Sequence, residues 1–194
     1  SVALVVEKPV DEAALRPPPS RPVPPGAQGG RGTRALGTHA LAPNRTGNPP
    51  YDPLRDFACV SLVAKSPLLL ACNPTLAIGS TAELIERART GDVPLTDATS
   101  AIGGAPHLAA ELFQEMTGIT MQHVRYDETE RLYRDLEAGA VALSFNNVIS
   151  MLPRCRRGAL RALAVSSAGR MDAAPDIPTI AEAGVSGYEV TNWV

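Results

Sequence analysis

The chain of 194 residues can hold one large domain or two small ones, and its hydrophobic fraction of 44% suffices for a buried core. The formal net charge of −2 and the aromatic fraction of 4% argue against nucleic acid or an anionic membrane as a partner. No apolar run approaches the roughly 20 residues that span a bilayer, and no signal peptide is visible, so direct membrane insertion is not expected.

The first fifty residues are rich in proline and glycine, and they hold ten of the eighteen prolines. Proline removes backbone donors, and glycine raises the entropy cost of ordering. Residues 1–35 are therefore predicted to form a poorly ordered segment. The stretch Leu36–Ala40 is the first that suits an ordered loop.

After residue 50 the sequence favours regular elements. Phe57–Ala64 and Leu68–Cys72 are short apolar runs, which is typical of buried strands. Ser80 and Glu83 have the spacing of a capping box, which predicts a helix that ends at Gly91.

Strands and helices then alternate, which predicts an α/β fold with a mostly parallel sheet. The predicted strands are Leu95–Ala98, Met121–Val124, Ala140–Phe145 and Leu160–Val165, and the predicted helices are Pro106–Thr117, Glu130–Ala138, Val148–Arg156 and Thr179–Ala183. Such sheets bind ligands beyond the carboxyl ends of their strands. Three loops are candidates on this ground: Ser100–Gly104, Tyr126–Thr129 and Phe145–Asn147.

The first of these loops has the pattern of an anion-binding turn. Gly103 and Gly104 predict a tight turn, and Pro106 suits the first turn of the following helix. The unpaired N–H groups and the helix dipole favour a carboxylate or a phosphate there. The alternative is a turn with no ligand.

Three widely spaced cysteines, Cys59, Cys72 and Cys155, match no zinc pattern. Buried free thiols are the favoured interpretation, and one disulfide with a leftover thiol is the alternative. No metal or other cofactor is expected.

Ordered motifs between residues 36 and 194 resemble one protein family. His107–Phe113 resembles its His-Leu-Ala-Gly-Glu-Leu-Phe segment, and His123–Tyr126 resembles its His-Val-Pro-Tyr. The set also includes Tyr51–Phe57, Asn73-Pro74, Ser80–Ile85, Phe145–Asn147, Leu160–Val165 and Pro175–Gly184. The chain thus resembles the substrate-binding proteins of tripartite tricarboxylate transporters, the TctC or Bug family.

This resemblance implies a type II periplasmic-binding-protein fold, in which two α/β lobes close over a small carboxylate or amino-acid ligand. It implies a periplasmic location and, as partners, the membrane components of a tripartite carrier. We expect a complete second lobe at 66–163, a partial first lobe formed by 36–65 and 164–194, and truncation at both ends.

The family's ligand-binding positions are carried over residue by residue. They correspond here to Thr38, His39, Ser100, Ala101, Gly103, Gly104, Tyr126 and Asn147. Asp127 and Glu128 depart from the family's lysine and glycine, and two carboxylates at the rim would repel an acidic ligand.

Other interpretations stay open at this point. Asn147 also suits a helix cap at Val148. The chain can be a binding-incompetent remnant that acts as an interaction or structural module. An enzyme is disfavoured: Ser100 or Cys155 would need His107 or His123 as a base, and the sequence has no Gly-x-Ser-x-Gly elbow.

Overall fold

The computed structural model describes residues 62, 64–91, 95–100 and 102–193. The chain divides into two compact units, Ser1–Lys65 with Trp193–Val194 and Ser66–Asn192, and the described residues lie almost entirely in the second. The predictions for 1–61, for Thr38 and His39, and for Ala101 fall outside the described residues. The division into a complete second lobe and a partial first lobe stays a prediction.

Within the described residues, strands alternate with helices as the sequence predicts. The order is β1 (Lys65–Cys72), a 3₁₀ turn (Pro74–Leu76), α1 (Thr81–Thr90), β2 (Leu95–Thr99), α2 (Ala105–Thr117), β3 (Met121–Arg125), α3 (Thr129–Ala138), β4 (Leu143–Asn147), α4 (Val148–Arg156), β5 (Arg161–Val165) and β6 (Thr191–Trp193). No described helix is long and apolar enough to cross a membrane.

The strands form one mixed sheet in the order β3-β2-β4-β1-β5, and β6 pairs with β1. β2 is parallel to both β3 and β4, whereas β1 is antiparallel to β4 and β5. The prediction of a mostly parallel sheet is therefore wrong for β1. Cys72 at the end of β1 lies opposite Leu143 at the start of β4, so β1 ends at the edge of the sheet where β4 begins. The segment that contains α1 leads from β1 to β2 at this same edge, and it therefore does not cross the sheet.

Local signals set the helix ends. The Ser80 hydroxyl accepts from the Glu83 N–H at 3.1 Å, and the Glu83 carboxylate accepts from the Gly79 N–H at 2.7 Å, which confirms the capping box with the carboxylate one residue further back. Gly118 and Gly139 follow α2 and α3 with φ of +68° and +80°, a conformation that favours glycine.

The predicted helix at 179–183 is wrong. The segment makes a single turn, in which Thr179 and Glu182 exchange hydrogen bonds of 2.8 and 3.0 Å between side chain and backbone. Gly184 follows at φ +110°, and Val165 forms an isolated parallel bridge with Thr179. The turn is therefore held against the end of β5 and cannot extend.

Helices cover both faces of the sheet. On one face, the Phe113 ring of α2 lies 5.7 Å from Phe145 and 6.2 Å from Tyr188. On the other face, α3 and α4 contribute Leu136 and Met151 to a buried cluster with Ala98 of β2. The sheet is thus buried on both sides. This packing also fixes the positions at which the helices begin.

Asn73 links the end of β1 to the end of α3, and it is 2% exposed. Its amide donates to the Leu136 and Glu137 carbonyls, and its oxygen accepts from the Thr75 N–H. Because Asn73→Ala leaves these groups unpaired in the interior, we expect it to lower the free energy of unfolding by about 2–4 kcal/mol in urea denaturation.

Asn147→Ala is the matched control, because its exposed side chain makes no hydrogen bond to a described residue. We expect a change below about 0.5 kcal/mol. Equal losses in the two variants would contradict the role assigned to Asn73.

Candidate functional site

Three helices begin at one edge of the sheet. β2, β3 and β4 are parallel neighbours, so their carboxyl ends meet at this edge, and they lead into α2, α3 and α4 respectively. The three loops named from the sequence lie here. This is the place where α/β sheets bind ligands.

None of these three helices has a side-chain cap at its N-terminus. The N-cap residues are Gly104, Glu128 and Asn147, and none makes a side-chain cap hydrogen bond. In contrast, α1 carries the Ser80 cap. The first N–H groups of a helix have no internal partner, so three uncapped ends leave donors and partial positive charge for an anion.

The turn before α2 has the predicted glycine geometry. Gly103 has φ +68°, which side chains other than glycine rarely adopt, and its N–H donates to Nδ1 of His107 at 3.2 Å. Among the described residues, none accepts from the N–H groups of Gly104 and Ala105. These two N–H groups are the candidate ligand donors of this turn.

Two hydrogen bonds join this turn to the loop after β3. Thr129 donates its hydroxyl to Ser100 at 3.1 Å, and the Tyr126 N–H donates to the Thr99 carbonyl at 2.9 Å. The sequence named the Tyr126–Thr129 loop but missed Thr129 as the partner of Ser100. Nothing local connects two hydroxyls that are 29 residues apart.

Tyr126 is 8% exposed, and its hydroxyl is occupied. It donates to the Asp135 carboxylate of α3 at 2.9 Å. Burial is the main cause of the raised pKa of this phenol, and Asp135 raises the pKa further. The hydroxyl therefore keeps its proton and stays a donor at physiological pH. A ligand would have to compete with Asp135 for the Tyr126 hydroxyl.

Asn147 occupies the N-cap position of α4 and lies opposite Leu68 of β1. Its backbone N–H donates to the Asn146 side chain at 2.9 Å. Its own amide side chain is exposed and does not cap α4, contrary to the alternative considered from the sequence. The amide can therefore reach a ligand at the edge.

The negative charge of the acidic rim, formed by Asp127 and Glu128, is partly compensated by a neighbouring cation. Asp127 and Glu128 are exposed, as the sequence suggests, but Nη2 of Arg125 lies 3.4 Å from the Asp127 carboxylate. An exposed pair of this kind contributes little to stability. Its effect is to place a cation beside the carboxylate that would repel an acidic ligand.

A buried polar cluster lies behind the turn. Asp97 of β2 is 2% exposed, and its carboxylate is 3.6 Å from Nδ1 of His123 on β3. The His107 and His123 rings meet edge to face at 4.6 Å. Burial raises the pKa of the Asp97 carboxyl, and Asp97 in turn raises the pKa of His123.

The histidines do not meet the two candidate nucleophiles. Within the described part of the chain, the hydrogen bond of the Ser100 side chain is with Thr129, and His107 accepts from Gly103. Cys72 and Cys155 are free thiols, and burial raises the pKa of each to about 11, which disfavours the reactive thiolate.

Fold and site together define the α/β architecture of a periplasmic-type solute-binding protein. The family described as "Tripartite tricarboxylate transporter family receptor" matches residues 32–194, so the chain belongs to this family. The resemblance stated from the sequence is confirmed. Members of this family are periplasmic solute-binding proteins, which are not enzymes.

Relatives and solved structures agree with this assignment. BugT of Bordetella pertussis is 38% identical over 146 residues, which cover 74% of this chain and 44% of BugT. Rpa4515 of R. palustris, determined with adipate, is 39% identical with a TM-score of 0.74 over 82% of this chain and 54% of its own. The periplasmic binding protein BugD is 28% identical with a TM-score of 0.73, over 82% of this chain and 53% of its own. The chain therefore spans about half the length of the relatives it matches.

The Asp97–His123 pair makes stability depend on pH. The pKa of His123 is raised from its ordinary value of 6.5, so its contribution is complete below pH 6.5 and is lost as pH rises through the folded-state pKa. The raised pKa of Asp97 has the same sign, because charging a buried carboxyl opposes folding, but the loss that it causes begins lower, at the ordinary carboxyl pKa of 3.8. We expect the melting temperature to fall from pH 6.5 towards pH 8.5.

Asp97→Asn removes both contributions without leaving a buried charge, so its melting temperature should vary less over this pH range. Thermal unfolding followed by circular dichroism measures the difference. Asp127→Asn, which removes an exposed carboxylate, is the control and should keep the slope of the parent chain. If the melting temperature of Asp97→Asn depended on pH as steeply as that of the parent chain, the assignment would be contradicted.

Proposed function

We propose that this chain is part of an extracytoplasmic solute-binding protein that captures a small carboxylate-bearing ligand for a tripartite tricarboxylate transporter. The observation that carries the proposal is the convergence of three uncapped helix N-termini at one sheet edge in a member of this receptor family. The adipate in the structure of Rpa4515 supports a carboxylate as the ligand class.

The chemistry of the edge suits a carboxylate held by neutral groups. Oriented N–H groups and hydroxyls can replace the hydration shell of a carboxylate, and hydrogen bonds to a charged acceptor are the stronger kind. We assign this role to the N–H groups of Gly104 and Ala105, the Ser100 hydroxyl and the Asn147 amide. Ala101, Thr38 and His39 are proposed as further ligand contacts on the basis of the family motif alone.

Transport function requires a second surface. We infer that the ligand lies between two lobes that close over it, that the protein works in the periplasm, and that membrane components of the carrier receive it. The role is binding and delivery without catalysis. No finding supports the alternative of a binding-incompetent module.

Binding should be visible as thermal stabilisation. A ligand at about 100 times its Kd stabilises the folded state by roughly 2.7 kcal/mol. We expect adipate, or another small dicarboxylate or amino acid of a panel, to raise the melting temperature. Asn147→Ala should weaken binding by about 10- to 100-fold, because a hydrogen bond to a charged group is lost.

Gln122→Ala is the control for Asn147→Ala, since it removes an exposed amide near the amino end of β3. It should leave the Kd unchanged. A full panel without any thermal shift, from a chain that unfolds cooperatively, would contradict the proposed function.

Rim charge should tune this affinity. Asp127→Asn removes a carboxylate and releases Arg125, so we expect it to tighten dicarboxylate binding by about 2- to 5-fold at low ionic strength. Titration calorimetry at 20 and 300 mM salt measures the gain, which should shrink at the higher salt.

Glu86→Gln is the matched control, because it removes an exposed acidic charge from α1, which begins away from the site. It should change the affinity little. A gain from Glu86→Gln as large as that from Asp127→Asn would mean that only net charge matters.

A further inference from the structure

One donor of the glycine turn is held by a titratable side chain. His107 is the third residue of α2, and its Nδ1 accepts from the N–H of Gly103 at 3.2 Å. An imidazole nitrogen accepts a hydrogen bond only through its lone pair, so Nδ1 carries no proton in this arrangement. The N–H of Gly103 is therefore engaged by His107 as long as Nδ1 is unprotonated.

The groups that face His107 come from three elements. On α2 itself, the Glu111 carboxylate lies 3.7 Å from Nε2 of His107. From β3, the His123 ring is 4.6 Å away, and Asp97 of β2 lies behind it. Tyr188 lies near Asp97, and its hydroxyl is bound to the Ala109 carbonyl of α2.

The two imidazoles have different partners for a proton. A proton on His123 is balanced by Asp97, which raises the pKa of that histidine. A proton on His107 would be balanced by Glu111 through Nε2. A proton on Nδ1 of His107 turns the acceptor into a donor, so the N–H of Gly103 loses its partner. The protonation also places a positive charge beside the uncapped end of α2.

We propose that carboxylate binding at the N-terminus of α2 is coupled to uptake of one proton by His107, which releases the Gly103 N–H to the ligand. The inference rests on the proposed function. The proton comes from solvent, binds to Nδ1 and returns to solvent when the ligand leaves. No other covalent bond changes. His107 is thus a positioning residue that also regulates how many donors the turn presents.

The first test uses the ligand-free chain and nuclear magnetic resonance. The amide shift of Gly103 should change with pH in step with the ring nitrogens of His107. In His107→Gln, whose side-chain oxygen accepts but does not titrate, the Gly103 shift should be flat. In the control His123→Gln, the Gly103 titration should persist. A Gly103 shift that stays flat while His107 titrates would overturn the inference.

The second test measures proton uptake with adipate as the probe. Titration calorimetry at pH 6 and pH 8, in buffers with different ionisation heats, should show proton uptake on binding and tighter binding at the lower pH. His107→Gln should bind adipate with neither effect. Binding that is independent of pH and buffer would overturn the coupling but leave the proposed function standing. Where adipate does not bind, the panel ligand with the largest thermal shift replaces it as the probe. Absence of binding by the whole panel at both pH values would overturn the proposed function and the coupling, even if Gly103 follows His107 in the free chain.

Discussion

The parallel pairing of β2 with β3 and β4 is the constraint on which the rest of the site depends. It brings the carboxyl ends of three strands to one edge, and each strand leads into a helix that begins there. A slip of one residue between β2 and β3 would place Asp97 and His123 on opposite faces of the sheet. The same register therefore fixes the buried polar cluster and the three uncapped helix ends.

Helix α2 connects the packed core to the glycine turn. Phe113 anchors the helix against Phe145 and Tyr188 in the core, and His107, two turns earlier, holds Gly103 by its N–H. A well-packed helix can hold a turn in one geometry, which is what an anion site built from backbone donors needs. One end of α2 thus packs in the core, and the other end fixes the glycine turn.

Many features could be predicted from the sequence because their causes are local. Ser80 and Glu83 mark a helix start, Gly118 and Gly139 mark helix ends, and apolar runs mark the strands. These patterns gave the α/β class, and ordered motifs gave the family, which the comparisons confirm. The loop pattern around Gly103 also gave the turn geometry correctly.

Other features depend on residues that are distant in sequence. The antiparallel direction of β1, the single turn at 179–183, the Tyr126 hydroxyl on Asp135 and the pair of Asp97 with His123 were not predicted. Each results from which elements become neighbours in space, and hydrophobic periodicity does not encode that choice. The sequence alone determined most of the helices and strands and the edge at which three helices begin, because propensities, caps and glycine turns act over a few residues. Only the tertiary structure decided which polar groups at that edge are already paired, because pairing follows strand order and register.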